Sequence, residues 1–168
     1  MRSPRSQRGC GGRKLTIGGI IESKNLTLVR IMGVPDEPGV GGRLFSHLTE
    51  LGINVEFISS ANDATGTANM VLCMSESDGV VFEREVDKVK TETESKRIEI
   101  IHRVATIGIY GPHFRETPEV AAHLFCCLAS KDIQVLGVST SISTVACLVE
   151  ESKLDDAREG IRSSFALP

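Results

Sequence analysis

The sequence predicts an α+β protein made of two similar modules, each with the element order β-α-β-β-α-β. The first indication is a repeat, because PGVGGRLFSHL at residues 38–48 returns as PEVAAHLFCCL at residues 118–128. The second is that the positions after each copy also correspond. They are Ile53, Val55, Ile58 and Ser59 in the first copy, and Ile133, Val135, Val138 and Ser139 in the second. A repeat this long is usually a whole module rather than one turn of a solenoid.

The elements of the first module follow from periodicity and turn residues. A helix is predicted after Pro38, because Val40, Leu44, Leu48 and Leu51 recur at the spacing of an amphipathic helix. The turn DATGT predicts a hairpin, and a second helix is expected after Ser77–Gly79 with Phe82, Val86 and Val89 inward. The predicted strands are residues 26–32, 55–61, 68–74 and 97–104.

The second module repeats this order but lacks a closing strand. Its predicted strands are residues 105–110, 133–139 and 144–149, and its predicted helices are residues 119–129 and 154–165. One strand, LTIGGIIE at residues 15–22, remains unassigned at the start of the chain. Because an open sheet edge invites pairing, this strand is expected to complete the second module. Each module would then have the ferredoxin-like arrangement, and the first module would be inserted within the second.

Composition and charge exclude several classes of protein. The net charge of −3 is a poor match to nucleic acid or an anionic membrane, and no run of 18 apolar residues predicts a membrane span. An RNA-recognition module has the same element order, but it stacks bases on aromatic side chains, and this chain has one Tyr and no Trp. Residues 1–14 are basic and lack an apolar signal core, so we expect a flexible tail, an internal start or a transit remnant. The expected location is therefore cytoplasmic, with a plastid as the alternative.

Residue types with catalytic or metal-binding chemistry do not form a recognisable motif. The five cysteines show no CxxC spacing and are expected to be reduced thiols of an intracellular protein. The four histidines are scattered, without the partners that nucleophilic catalysis requires. We therefore expect no catalytic residue, no metal and no cofactor.

The junction DEPGVGG at residues 36–42 is the strongest candidate for a binding site. A helix N-terminus presents unpaired N–H groups that bind anions such as a carboxylate. The glycines leave this backbone uncovered, and Asp36 lies beside it to pair with an ammonium group. This combination suits a free α-amino acid. A helix start with small residues for packing on a sheet is the alternative.

Three stretches resemble the paired ACT domains of aspartate kinases. GVPDEPGVGGRLFSHLTELGINVEFIS is similar to the first ACT domain, and LFCCLASKDIQVLGVSTS is similar to the second. IGGIIESKN resembles the strand that precedes the pair in that family. The similarity runs from Thr16 to Leu167.

The resemblance implies a domain organisation and partners. Residues 1–14 would be the basic tail, 15–24 the strand completing the second ACT domain, 25–104 the first ACT domain and 105–168 the second. The implied unit senses an amino acid made from aspartate, such as lysine or threonine, and forms a homodimer through its ACT sheets. The kinase catalytic domain of the family is not in this chain, so a separate kinase subunit is a possible partner. A free-standing sensor for another partner and a dimerisation module without ligand are the alternatives.

The resemblance also implies which residues contact the effector. In the first domain they are Asp36, Pro38, Gly39, Val40, Gly41 and Asn54. At four further contact positions this chain departs from the residues that are usual in the family. These positions are Ser60 and Asn69 in the first domain, and Asp132 and Gln134 in the second. These departures replace amide and carboxylate side chains that the family uses, so the identity of the effector is left open.

Overall fold

The computed structural model describes residues 14–112, 114 and 119–168. The basic tail and most of the predicted loop at residues 111–118 lie outside the described residues. The helices are α1 (Val40–Glu50), α2 (Glu76–Arg84), α3 (Val86–Thr93), α4 (Glu119–Ser130) and α5 (Leu154–Ser164). The strands are β1 (Leu15–Thr16), β2 (Gly19–Pro35), β3 (Val55–Asn62), β4 (Thr67–Ser75), β5 (Arg97–Tyr110), β6 (Gly137–Thr140), β7 (Thr144–Glu150) and β8 (Phe165–Ala166).

The chain divides into two compact units. One, which we call the central unit, is Lys24–Val104. The other, the flanking unit, combines the chain up to Ser23 with Ala105–Pro168. Strands β2 and β5 cross these boundaries, so each contributes residues to both units. The α+β class predicted from the sequence is confirmed.

The central unit has the strand order β3-β4-β2-β5, with β4 antiparallel to both β2 and β3. Apolar residues alternate along β4, so Ala68, Met70 and Leu72 share the face on which the helices pack. Helix α1 contributes the predicted stripe, with Val40, Leu44 and Leu48 buried. Burying such a stripe is the main source of stability for a helix of this length.

The flanking unit has the strand order β2-β5-β7-β6, and β7 is antiparallel to β6. Strand β1 pairs in parallel with β8. The segment between β1 and β2 is tied by hydrogen bonds from the Ile17 N–H to the Ala166 carbonyl (3.0 Å) and from the Gly18 N–H to the Tyr110 carbonyl (2.7 Å). Arg158 of α5 donates two hydrogen bonds to the Glu22 carboxylate at 2.8 and 2.9 Å. These contacts connect residues 17–22 to Tyr110 and to residues 158–166.

Several predicted element bounds are wrong. The predicted strands at residues 15–22 and 26–32 lie mostly within the continuous strand β2, and those at 97–104 and 105–110 form one strand, β5. Asn25 and Arg103 adopt positive φ of 56°, and β2 and β5 continue through these two residues. The predicted strand at 133–139 is reduced to β6, and β8 was not predicted.

The second helix begins earlier than predicted. The Ser75 hydroxyl accepts a hydrogen bond from the Asp78 N–H at 3.1 Å, which places the N-cap before Glu76. Gly79 is therefore helical, and it lies against Thr27 so closely that an added Cβ would be 2.5 Å from the Thr27 hydroxyl oxygen. Close packing on the sheet therefore explains why residue 79 is a glycine. The sequence had suggested that this glycine precedes the helix. None of the helices in the described ranges combines the length and apolarity that a membrane crossing requires.

Candidate functional site

The candidate site is the segment between β2 and α1, residues 35–41, which we call the Asp36 loop. Gly39 is the N-cap of α1 with φ of 96°, a left-handed conformation that favours glycine. No side chain forms a cap hydrogen bond there among the described residues. The start of α1 therefore presents backbone N–H groups without a side-chain acceptor, as an anion site requires.

Space in front of α1 is open at two further glycines. A Cβ built at Gly41 or at Gly42 would meet no atom within 4 Å. Val40, between Gly39 and Gly41, is buried in the core and anchors the turn. A small ligand can therefore approach the backbone of the first helical turn directly.

Asp36 is exposed and is positioned by the β3-β4 hairpin. The Asn62 side-chain amide donates to the Asp36 carboxylate at 2.7 Å, and the Asp36 N–H donates to the Gly66 carbonyl at 3.2 Å. The Asp36 carboxylate is thus oriented beside the start of α1 by a neutral donor. A cationic group of a ligand can pair with this carboxylate.

The hairpin that supports Asp36 is itself organised by Asp63. Its carboxylate accepts hydrogen bonds from the N–H and hydroxyl groups of both Thr65 and Thr67, at 2.6 to 3.2 Å. These bonds, of which those from the threonine hydroxyls matter most, hold the pKa of Asp63 well below its ordinary value. A lowered pKa means that the ionised carboxylate stabilises the folded hairpin.

Asp63→Asn should therefore destabilise the chain at pH 7. Because the folded pKa is lowered, the contribution of Asp63 is present above the ordinary aspartate value of about 3.9 and is lost as the pH falls below it. Urea unfolding at pH 7 and at pH 3 would measure this. The difference between wild type and variant should be clear at pH 7 and smaller at pH 3. An equal difference at both pH values would contradict the role given to the carboxylate.

The predicted residues of β3 and β4 lie on opposite faces of the sheet. Ser60 pairs with Met70, so it is on the helix-bearing face, as is Asn62 two residues later. Asn69 pairs with Ala61 and is therefore on the other face, where its side-chain oxygen accepts from the Gly33 N–H at 3.1 Å. Ser60 thus shares a face with the Asp36 loop, whereas Asn69 supports the backbone of β2.

Asn62 was missed by the sequence reasoning. The only signal was its place between the predicted strand at residues 55–61 and the turn that begins at Asp63. Its role depends on the register that sets the end of β3 beside the end of β2.

The remaining predicted residues lie elsewhere. Asn54 precedes β3 at the opposite end from Asn62, and its N–H donates to Asp78 at 3.3 Å. In the flanking unit, Asp132 has φ of 54° and stands two residues after the end of α4. Gly52 has the same left-handed conformation two residues after the end of α1, a position where helices commonly end. Gln134 lines a groove of about 390 Å³ with Phe125, Val135 and neighbouring residues. Within one chain, Asp36, Pro38, Gly39, Val40 and Gly41 form the candidate site, with Ser60 on the adjoining face.

One arrangement in the central unit has the order of a nucleophile-base pair. The Thr27 hydroxyl is 3.4 Å from His102 Nδ1, and His102 Nε2 is 2.7 Å from Glu83. Thr27 is fully buried, however, so no substrate can reach its hydroxyl. The arrangement is a structural link between α2 and the sheet.

The buried thiols also lack the features of reactive cysteines. Burial raises the pKa of Cys73 to about 12 and that of Cys147 to about 11, so both stay protonated at neutral pH. No group of His, Cys, Asp and Glu within the described ranges has the geometry to hold a metal ion.

Comparison with known proteins agrees with this architecture. Residues 107–165 match the family model described as ACT domain. An aspartokinase of Bacillus sp. (strain MGA3) is 31% identical over 156 residues, which cover 92% of this chain and 38% of that protein. Aspartokinase 2 of Bacillus subtilis (strain 168) is 29% identical over 157 residues, again 92% of this chain and 38% of that protein. The chain spans less than two fifths of the length of these relatives.

The fold is shared with separately solved regulatory subunits. The regulatory subunit of aspartate kinase from Thermus thermophilus superposes with a TM-score of 0.80 at 20% identity, covering 90% of this chain and 99% of that one. Residues 107–165 therefore match an ACT domain, and the chain is similar along nearly its whole length to part of aspartokinases and shares the fold of a solved aspartate kinase regulatory subunit.

Proposed function

We propose that this chain is an amino-acid-sensing regulatory unit of an aspartate kinase and that the Asp36 loop contributes its effector site. In this proposal the two compact units are two ferredoxin-like ACT domains, the first inserted within the second. The beginning of β2 would complete the sheet of the second domain, while β1 pairs with β8 in a separate two-stranded sheet. The pairing of the N-terminal segment with Tyr110 and Ala166 supports this arrangement.

The observation that carries the proposal is the open backbone at the start of α1 beside an oriented carboxylate. An α-amino acid has one carboxylate and one ammonium group. The first would bind the N–H groups of Gly39 and Gly41, where the helix dipole favours a negative charge; the Val40 N–H between them donates to the Glu37 carbonyl at 3.4 Å. The second would pair with Asp36, which Asn62 holds in place.

The backbone N–H groups and the Asp36 carboxylate would bind the two charged groups that all α-amino acids share. They do not indicate which amino-acid side chain is preferred. A structure of the same fold, aspartokinase III of E. coli, was solved in complex with lysine and aspartate, with a TM-score of 0.69 at 14% identity. Lysine is therefore the first ligand to test, followed by threonine and methionine. Asn54 lies at the opposite end of β3 from Asn62, and Asp132 and Gln134 belong to the flanking unit. In this proposal these three residues contribute through a second copy in a homodimer.

Regulation would work by linkage. An effector that binds one arrangement of the paired domains more tightly shifts the population toward that arrangement. A kinase catalytic domain attached to or associated with the unit would then respond. Phosphorylation of aspartate would be carried out by that domain, since no catalytic arrangement occurs in the described residues.

Calorimetric titration with single amino acids tests the sensor. We expect saturable heat with at least one of lysine, threonine and methionine. Asp36→Asn should weaken that binding by about ten- to a hundred-fold, because an unpaired ligand ammonium costs about 1–3 kcal/mol. Glu37→Gln, which neutralises the next carboxylate along the loop, is the matched control and should bind normally.

The outcomes separate the alternatives. Flat traces for all amino acids would contradict the sensor and favour a dimerisation module. Binding without co-purification of a kinase chain would favour a free-standing sensor instead. Sedimentation tests the homodimer, and a monomer at all concentrations would contradict pairing through the sheets.

A further inference from the structure

The break between α2 and α3 is a distinctive feature of the central unit. The two helices are separated by a single residue, Glu85, whose φ of −106° and ψ of 5° depart from helical values. Glu83 lies just before this break, in the last turn of α2. One carboxylate therefore lies at the break, and a second lies two residues before it.

Each of these carboxylates faces a histidine from a different element. His47 of α1 is 4% exposed, and its Nε2 lies 3.6 Å from the Glu85 carboxylate. His102 of β5 lies on the other side, with its Nε2 2.7 Å from Glu83. The residues around the break therefore contact a histidine of α1 and a histidine of the sheet.

The His47 pair is close but not hydrogen-bonded. His47 Nε2 is buried and has no hydrogen-bond partner among the described residues, although a buried polar atom normally has one. Its Nδ1 is 4.0 Å from Glu50. If the His47 ring is protonated, both of its nitrogens can donate to nearby carboxylates. A small movement would bring Glu85 and Glu50 within hydrogen-bond distance, and these bonds would be charge-assisted.

His102 has a partner at each ring nitrogen. Its Nδ1 lies 3.4 Å from the buried Thr27 hydroxyl, while Nε2 contacts Glu83. The protonated ring can donate from both nitrogens at once.

Further charges near His47 line a cleft of about 480 Å³ beside α1. The lining residues are Gly42, Arg43, Ser46, His47, Glu50 and Glu92. Arg43 Nε donates to the Glu92 carbonyl at 3.4 Å, and Lys88 is 4.0 Å from the Glu92 carboxylate. The groups facing His47 are therefore Glu85, Glu50, Arg43 and Glu92, with Lys88 behind Glu92. The carboxylates outnumber the cations around this cleft.

We propose that His47 and His102 form a pH-responsive clamp on the break between α2 and α3. Histidine exchanges its proton between about pH 5 and 8. When both rings are protonated, each donates a charge-assisted hydrogen bond to Glu85 or Glu83 and holds the break closed. When they are neutral, these bonds weaken and the end of α2 opens more often.

Amide hydrogen exchange on the full chain tests the clamp. Exchange at residues 82–94, corrected for the intrinsic effect of pH, should be about five- to tenfold slower at about pH 5.5 than at about pH 8. The double variant Glu83→Gln with Glu85→Gln keeps the side-chain shape and removes both charges. It should abolish the difference between the two pH values. Glu119→Gln, an exposed carboxylate in the flanking unit, is the control and should leave the difference unchanged.

The proposal is overturned if wild type shows no difference or if the double variant keeps it in full. If the double variant does not fold, the two single variants replace it, and each should remove part of the difference. Ring nitrogen shifts of His47 and His102, assigned with His47→Gln and His102→Gln, provide a second measurement. Ring protonation that proceeds without any change in exchange at residues 82–94 would also overturn the clamp.

Discussion

Gly41→Arg is expected to abolish amino-acid binding and to leave the chain folded. The new side chain would begin in open space, since a Cβ at Gly41 meets no atom within 4 Å. Its bulk would cover the backbone N–H groups at the start of α1, where the ligand carboxylate is proposed to bind. Losing that contact should reduce affinity by more than about a hundred-fold, because hydrogen bonds to a charged group contribute about 1.5–3 kcal/mol each.

Calorimetry with the ligand identified for the wild type measures this effect. Thermal unfolding should show no loss of stability, because replacing a helical glycine removes an unfavourable entropy of about 1 kcal/mol. Ser46→Arg is the matched control, since it adds the same side chain to an exposed position further along α1. It should bind normally. Normal binding by Gly41→Arg would place the ligand elsewhere.

Gly108→Ala is expected to cause the largest loss of stability. Gly108 is buried in β5, where an added Cβ would lie 2.7 Å from the Val145 carbonyl oxygen and 3.0 Å from the Ala146 Cα. These neighbours are backbone atoms of β7, so they cannot move aside by a change of rotamer. Overpacking of this kind costs about 1–3 kcal/mol or more, a large part of the 5–15 kcal/mol typical of a folded domain.

Urea unfolding of the variant and of Gly160→Ala provides the comparison. Gly160 is a buried helical residue of α5 in the same unit, and an added Cβ would meet its nearest neighbour, Lys131 Cγ, at 3.4 Å. That contact is ordinary, so Gly160→Ala should be neutral or more stable by up to about 1 kcal/mol. Equal unfolding midpoints for the two variants would contradict the close approach of β5 and β7.

Helices α1 and α5 were predictable because their stripes are complete within a short segment. Val40, Leu44 and Leu48 recur at helical spacing, and the structure buries all three. The hairpin turn at Asp63 was also predictable, since its hydrogen bonds involve only residues two and four positions away. Local features of this kind depend little on the rest of the chain.

Strand limits and the break after α2 were less predictable, because they depend on distant partners. Gly79 appeared to precede a helix, yet it is helical because Ser75 caps the helix before it. Thr27 of β2 leaves no room there for a side chain. The continuity of β2 through Asn25 likewise follows from pairing that no local pattern shows.

The sequence by itself determined the element types, the repeat and the chemistry of the Asp36 loop, because these depend on neighbours within one or two turns. Only the tertiary structure decided which of the candidate residues meet. Strand register set Asn62 beside Asp36 and turned Asn69 to the opposite face of the sheet. The reason is that register joins residues far apart in the chain, and a shift of one position reverses the face of every side chain.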